Sequence, residues 1–232
     1  MSNVFCSSEG DSSYPKWSYW DWVSWKAVGD GLKEYKDGWI VYNRARIGAA
    51  AQTAKIPALL LACVAHVEVG GKPDASKRPA FLIRSFGWMG SPKSEKTAVL
   101  KPPGQTSFGA VSIQLRVAAH ELGWNTETMS FANQLDLIRC LETDAFNLKV
   151  VAKHLNSLMR YDFPDIHDSQ LLTDEQFIIV GARYNRGIQR SRKDIEESIK
   201  SAPGSPGREY SDYGRAMIRH RAEVGVLMGL TS

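Results

Sequence analysis

Cysteine is scarce in this chain: Cys6, Cys63 and Cys140 are the whole complement. No Cys-x-x-Cys and no Cys/His ligand spacing occurs, which argues against a structural zinc. Cys63 and Cys140 fall in apolar helical stretches, where a free cysteine packs as a small hydrophobe, so no disulfide framework is expected. Long apolar runs are missing as well. The longest, Ala58 to Ala65, is far short of the roughly 20 residues that span a bilayer. The N-terminus has no basic segment leading into an apolar one, and Cys6 lacks the apolar lead-in of a lipoprotein signal. The expectation is a soluble product that starts in the cytoplasm without a Sec signal. Strand signals are few, and no stretch repeats at the periods of a solenoid. Charge of one sign is not massed anywhere. The net charge of +4 is spread along the chain and suits an anionic partner without choosing one. A basic nucleic-acid binder would show a clustered Lys/Arg face, and outside 183–193 none is seen.

What is present is helix-forming sequence with an aromatic-rich start. Trp17, Trp20, Trp22, Trp25 and Trp39 stand close together with Tyr14, Tyr19 and Tyr35. Trp22, Trp25, Val28 and Leu32 follow a helical stripe. Either exposed indoles stack on sugars or bases, or an amphipathic helix docks its aromatic face on the main domain; the second reading is preferred. Gly38 and Trp39 open a second helix leading toward Lys55. A long connection, roughly 70–106, is rich in proline and glycine, and connections of that length are commonly functional. Its Phe81, Phe86 and Trp88 suit one wall of a cleft. Ser107 to Gly123 reads as a loop turning into a helix. Helices follow at about Phe131–Leu141 and Asp144–Met159, then one capped by Thr173 that runs to Tyr184, and a last one at Tyr210–Met228. Ser201–Gly207 is a linker by composition. The fold class is mainly α, with residues 1–38 an aromatic-rich segment packed on a domain of residues 39–232.

The chain is organised around Glu68. Pro57 suits a helix start, the following residues are apolar nearly all round, and Gly70 and Gly71 stop the helix. Glu68 then lies in the last turn of a buried helix, where the helix dipole and burial both disfavour its charge. A carboxylic acid held protonated is what a general acid requires. The alternative is a glutamate reaching solvent at a helix end. His66, two residues earlier, faces another side of the helix. His120, Glu121, Arg183 and Arg186 read as ordinary surface residues.

Four stretches fall in a recognisable order. An apolar helix ends in Glu68-Val-Gly70. Ser107-Phe-Gly-Ala-Val-Ser-Ile-Gln114 is similar to a Ser-x-Gly-Ala-x-Gly-x-x-Gln stretch. Asp144-Ala-Phe-Asn147 resembles an acidic-x-x-Asn helix opening, and Ala182-Arg-Tyr-Asn-Arg-Gly187 resembles Ala-x-Tyr-Asn-x-Gly. Together these resemble the lysozyme superfamily, on the side of the lytic transglycosylases and goose-type lysozymes. The second stretch is one residue shorter than the family pattern, Ser112 replaces a glycine, and Val69 stands where a serine is usual.

The resemblance implies a mainly helical, lysozyme-like fold with a cleft for peptidoglycan glycan strands. It makes Glu68 the catalytic acid and places Ser107, Gln114, Tyr184 and Asn185 among the substrate-binding residues. Gln114 would line the cleft floor, Tyr184 would bond the acid or the adjacent sugar, and Asn185 would hold a turn or a substrate group. A hydrolytic glycosidase generally needs two carboxylates. A lytic transglycosylase works with one, the muramic acid's own C6 hydroxyl being the nucleophile. No acid occurs in Lys101–Phe108, where a goose-type hydrolase would carry an Asp; Asp74 and Glu95 are the remaining candidates for a second carboxylate. The expected activity is therefore cleavage between N-acetylmuramic acid and N-acetylglucosamine by a single glutamate, with no metal and no cofactor. A hydrolytic muramidase, a phage endolysin and a non-catalytic wall-binding module are the alternatives. Without a Sec signal, such a protein fits an exported antibacterial effector, delivered by a secretion machine to the periplasm of a target cell. An effector of this kind implies a cognate immunity protein as partner, besides the glycan strands.

Overall fold

The computed structural model describes residues 5–6, 13–90, 101–166 and 172–230. It is mainly helical, with ten α-helices and one short hairpin among the described residues. The helices are α1 (Tyr19–Ala27), α2 (Leu32–Ala54), α3 (Ala58–Glu68), α4 (Asp74–Gly90), α5 (Leu115–Glu121), α6 (Phe131–Leu141), α7 (Asp144–Asp162), α8 (Asp174–Arg186), α9 (Arg192–Lys200) and α10 (Asp212–Leu227). Strands β1 (Ser107–Phe108) and β2 (Ile113–Gln114) pair antiparallel, Ser107 opposite Gln114 and Phe108 opposite Ile113.

The chain forms two compact units, one of Met1–Lys36 with Glu68–Val151, the other of Asp37–Val67 with Ala152–Ser232. In the first, Phe81 of α4 packs edge-on against Phe108 and stacks on Phe131, and Leu115, Leu137 and Leu141 are buried in the same unit. The segment before α1 is tied down as well. Cys6 is disulfide-bonded to Cys140 of α6, and the Tyr14 N–H donates to Asp144 Oδ2 at 2.9 Å. In the second unit α8 and α10 approach so closely that a Cβ on Gly214 would lie 2.2 Å from the Ile178 carbonyl oxygen. Asn156 donates to the Ala54 carbonyl at 2.8 Å, tying α7 to the end of α2. α8 begins with a full capping box, Thr173 and Gln176 exchanging side-chain and backbone hydrogen bonds, as the sequence reading anticipated.

Several expectations are corrected. Residues 74–90 form α4 rather than part of a long connection: Phe81 and Ser85 recur at helical spacing on its buried side. Pro79 lies inside this helix and removes only one backbone donor there, so the apolar face prevails over the break signal. Gly38 and Trp39 lie within α2, which starts at Leu32. Cys140 is not a free buried thiol, and α9, which the sequence reading passed over, covers Arg192–Lys200. Glu121 is buried, and so is Arg183, whose guanidinium is paired with Asp162.

Candidate active site

Glu68 is the last residue of α3. The seven residues before Val67, Leu60 to His66, are all buried, whereas Glu68 itself is half-exposed. The helix stops because Gly70 takes φ +80°, and the Gly71 N–H turns back to the Glu68 carbonyl at 3.1 Å. A side chain at position 70 is strained at this φ and would also require the Leu32 side chain to move. A Cβ there would lie 2.4 Å from Leu32 Cδ1 and 3.6 Å from the Trp25 ring. An apolar helix, buried from Leu60 to His66, thus ends on a half-exposed glutamate.

The same unit contains the Ser107–Gln114 hairpin, held from two directions. Asn147 of α7 bonds both backbone groups of Val111: its Oδ1 accepts from the N–H at 2.9 Å and its Nδ2 donates to the carbonyl at 3.1 Å. From α4, Asp74 Oδ2 accepts the Gly109 N–H at 3.0 Å, while Oδ1 accepts Lys77 Nζ at 2.9 Å. The Asp74 and Lys77 side chains are only 15% and 13% exposed, so this is an internal clamp and not a solvated loop carboxylate. Lys77 also donates to Ser112 Oγ at 3.2 Å, which gives a use to the hydroxyl found where the resembled pattern has glycine. Gly109 has φ +90°, and its missing side chain leaves room for Asn147.

Ser107 and Gln114 meet as a backbone pair, and Gln114 Oε1 accepts from Arg116 Nε at 2.8 Å. Glu95 lies outside the described residues. Tyr184 and Asn185 belong to the other unit, in the last turn of α8. The Tyr184 ring stands 5.9 Å from His154 and 6.1 Å from Tyr213, and Asn185 is exposed. Asn185 lines a groove of about 550 Å³ with Arg186, Gln189, Arg190 and Asp194.

The turn that follows Tyr184 is built on Arg183. Its Nε and Nη2 reach the two Asp162 oxygens at 2.7 and 2.9 Å, and its Nη1 donates to the Gly187 and Arg190 carbonyls. A planar, five-donor guanidinium can do this and remain buried only with its acid beside it. Sequence reading missed this pair, since Asp162 lies far upstream with nothing in its neighbourhood to mark it. It also missed the acid that serves His66: Nε2 lies 3.2 Å from Asp37 Oδ1, and the His220 ring is 5.0 Å away.

Some titrating groups are displaced by their surroundings. Burial, reinforced by the nearby Asp144 charge, pushes the Tyr35 phenol above its ordinary range. Burial also pushes the Cys63 thiol up to about 12. The Glu142 carboxylate, which accepts a 2.7 Å hydrogen bond from Arg78 Nε, holds the Arg78 guanidinium more firmly charged.

Among the described residues no group of three or more His, Cys, Asp or Glu side chains could hold a metal ion. No described helix is long and apolar enough to cross a membrane. No protein-family model, curated protein or solved structure matches this chain.

Proposed function

We propose that this chain cleaves peptidoglycan glycan strands between N-acetylmuramic acid and N-acetylglucosamine, with Glu68 as its single catalytic acid. The observation that carries the reading is the placement of Glu68, half-exposed at the end of a helix buried from Leu60 to His66 and stopped by a glycine of positive φ. The four-stretch resemblance agrees with it. The engagement of Asp74 favours a transglycosylase over a hydrolase. With one oxygen on a backbone N–H and the other on a lysine, this carboxylate is committed to holding the hairpin. Hydrolysis asks for a second carboxylate as base or nucleophile.

In this mechanism protonated Glu68 gives its proton to the glycosidic oxygen as the bond to muramic acid C1 breaks. The sugar's N-acetyl carbonyl stabilises the positive charge that develops there. The Glu68 carboxylate then takes the proton of the C6 hydroxyl, whose oxygen closes on C1. The product is a 1,6-anhydro sugar, and Glu68 ends protonated, ready for another turnover. Ser107 and Gln114, in the unit that carries Glu68, are the proposed substrate contacts. The lysozyme-like fold and glycan cleft are part of the same proposal.

We further read the protein as an exported antibacterial effector acting in the periplasm of a target cell, with a cognate immunity protein. The Cys6–Cys140 disulfide supports an oxidising site of action, since such bonds persist in the periplasm and are rare in the cytosol.

The test is mass spectrometry of muropeptides released from purified peptidoglycan by the wild type and by Glu68→Gln. Anhydro-muropeptides from the wild type alone are the expected result. Reducing-end products, one water heavier, would make the protein a hydrolase. Intact wall binding with no products from either protein would leave only a binding module.

A further inference from the structure

We propose that the segment Ser13–Trp17 is a strap that positions Glu68, with Trp17 as its positioning residue; this rests on the reading of Glu68 as the acid. Glu68 is followed at once by a chain reversal through Val69, Gly70 and Gly71. One end of that reversal is closed internally, by the Gly71 N–H on the Glu68 carbonyl at 3.1 Å. The other end is held from outside, where the Trp17 indole Nε1–H donates to the Gly71 carbonyl at 2.7 Å. Two successive glycines make this the least stiff kind of backbone, so a fixed external donor restricts it more than it would restrict an ordinary turn.

The donor is itself held. The Trp17 ring lies edge-on to Tyr35, with centroids 5.4 Å apart, and Tyr14 and Trp25 contact the same ring at 5.3 and 5.0 Å. The Tyr35 hydroxyl donates to the Pro15 carbonyl at 2.6 Å. Upstream of Pro15, the Tyr14 N–H donates to Asp144 Oδ2, and the Asp144 N–H donates to Ser13 Oγ at 3.2 Å. The Trp25 ring and the Leu32 side chain also lie close to Gly70. A strap fixed at Asp144, Pro15 and Tyr35 thus ends in one hydrogen bond on the turn that carries the carboxyl. Small displacements of a proton donor lower turnover far more than they lower binding.

Trp17→Phe keeps an aromatic ring and removes the N–H. With peptidoglycan as substrate, the expected result is kcat lower by about tenfold with KM within about twofold. Amide hydrogen exchange should accelerate at Val69–Gly71 while the melting temperature stays near that of the wild type. Tyr35→Phe, which frees Pro15 but leaves the indole, should shift kcat and exchange in the same direction by less; it decides the matter if Trp17→Phe does not fold. Undiminished kcat, or unchanged exchange at Val69–Gly71, in a folded variant overturns the strap alone. Absence of product from the wild type overturns the cleavage reading and the proposal with it.

Discussion

At Gly109 two demands meet. The backbone takes φ +90°, where side chains are strained, and a Cβ would fall 2.2 Å from Asn147 Nδ2 and 2.7 Å from the Leu141 carbonyl oxygen. Gly109→Ala should therefore destabilise the fold by about 2–4 kcal/mol, combining backbone strain with displacement of the buried asparagine. The urea midpoint of the variant against the wild type checks this. Asn147 is legible in sequence only as part of a motif. That it holds both backbone groups of Val111 emerges from the fold, because its partner is remote in the chain. Arg183 teaches the same lesson in the opposite sense. Read alone it is one more basic residue near a helix end, yet it is buried on Asp162 and organises the turn after Tyr184. Removing one member of such a pair would leave an uncompensated buried charge.

Helices whose signals are local were legible. α6 runs over Phe131–Leu141 as its apolar spacing predicts, and α8 starts just after the Thr173 cap. α4 was not, because Pro73, Pro79 and its two glycines read as breakers, whereas Phe81 packing on Phe108 and Phe131 outweighs them. α1 is different again. It buries no residue and relies on its own capping box, Ser18 with Asp21, whose carboxyl the Ser18 hydrogen bonds hold below the usual range. Its attachment runs through Tyr35 at the start of α2, and that gives the strap a pH dependence. Tyr35 has a raised folded-state pKa, so the neutral phenol is the form the fold favours. The stability it contributes is complete below the ordinary tyrosine pKa of about 10 and is lost as pH rises through and above it. Unfolding free energies measured below and above about pH 10 should fall more steeply for the wild type than for Tyr35→Phe.

Across the whole molecule, Cys6–Cys140 closes a loop with a sequence separation of 134, so it restricts the unfolded chain strongly. Reduction with dithiothreitol should lower the unfolding free energy by about 2–5 kcal/mol, and Cys6→Ser should show the reduced value with or without the reagent. Cys63 does not compete for the bond, since it is buried and its thiol is pushed up to about 12. The amino-acid sequence alone determined the helical class and, to within about two residues, the ends of α3, α6, α8 and α10. Each of these depends on residues within a few turns of one another: apolar spacing, a cap, a stopping glycine. The pairings were decided only on folding. Cys6 with Cys140, Tyr14 with Asp144, Trp17 with Gly71, Asp74 with Gly109 and Arg183 with Asp162 join residues whose separation in the chain carries no period. A hydrogen bond or disulfide depends on atoms meeting within a few ångströms, and for remote residues only the packed core brings that about.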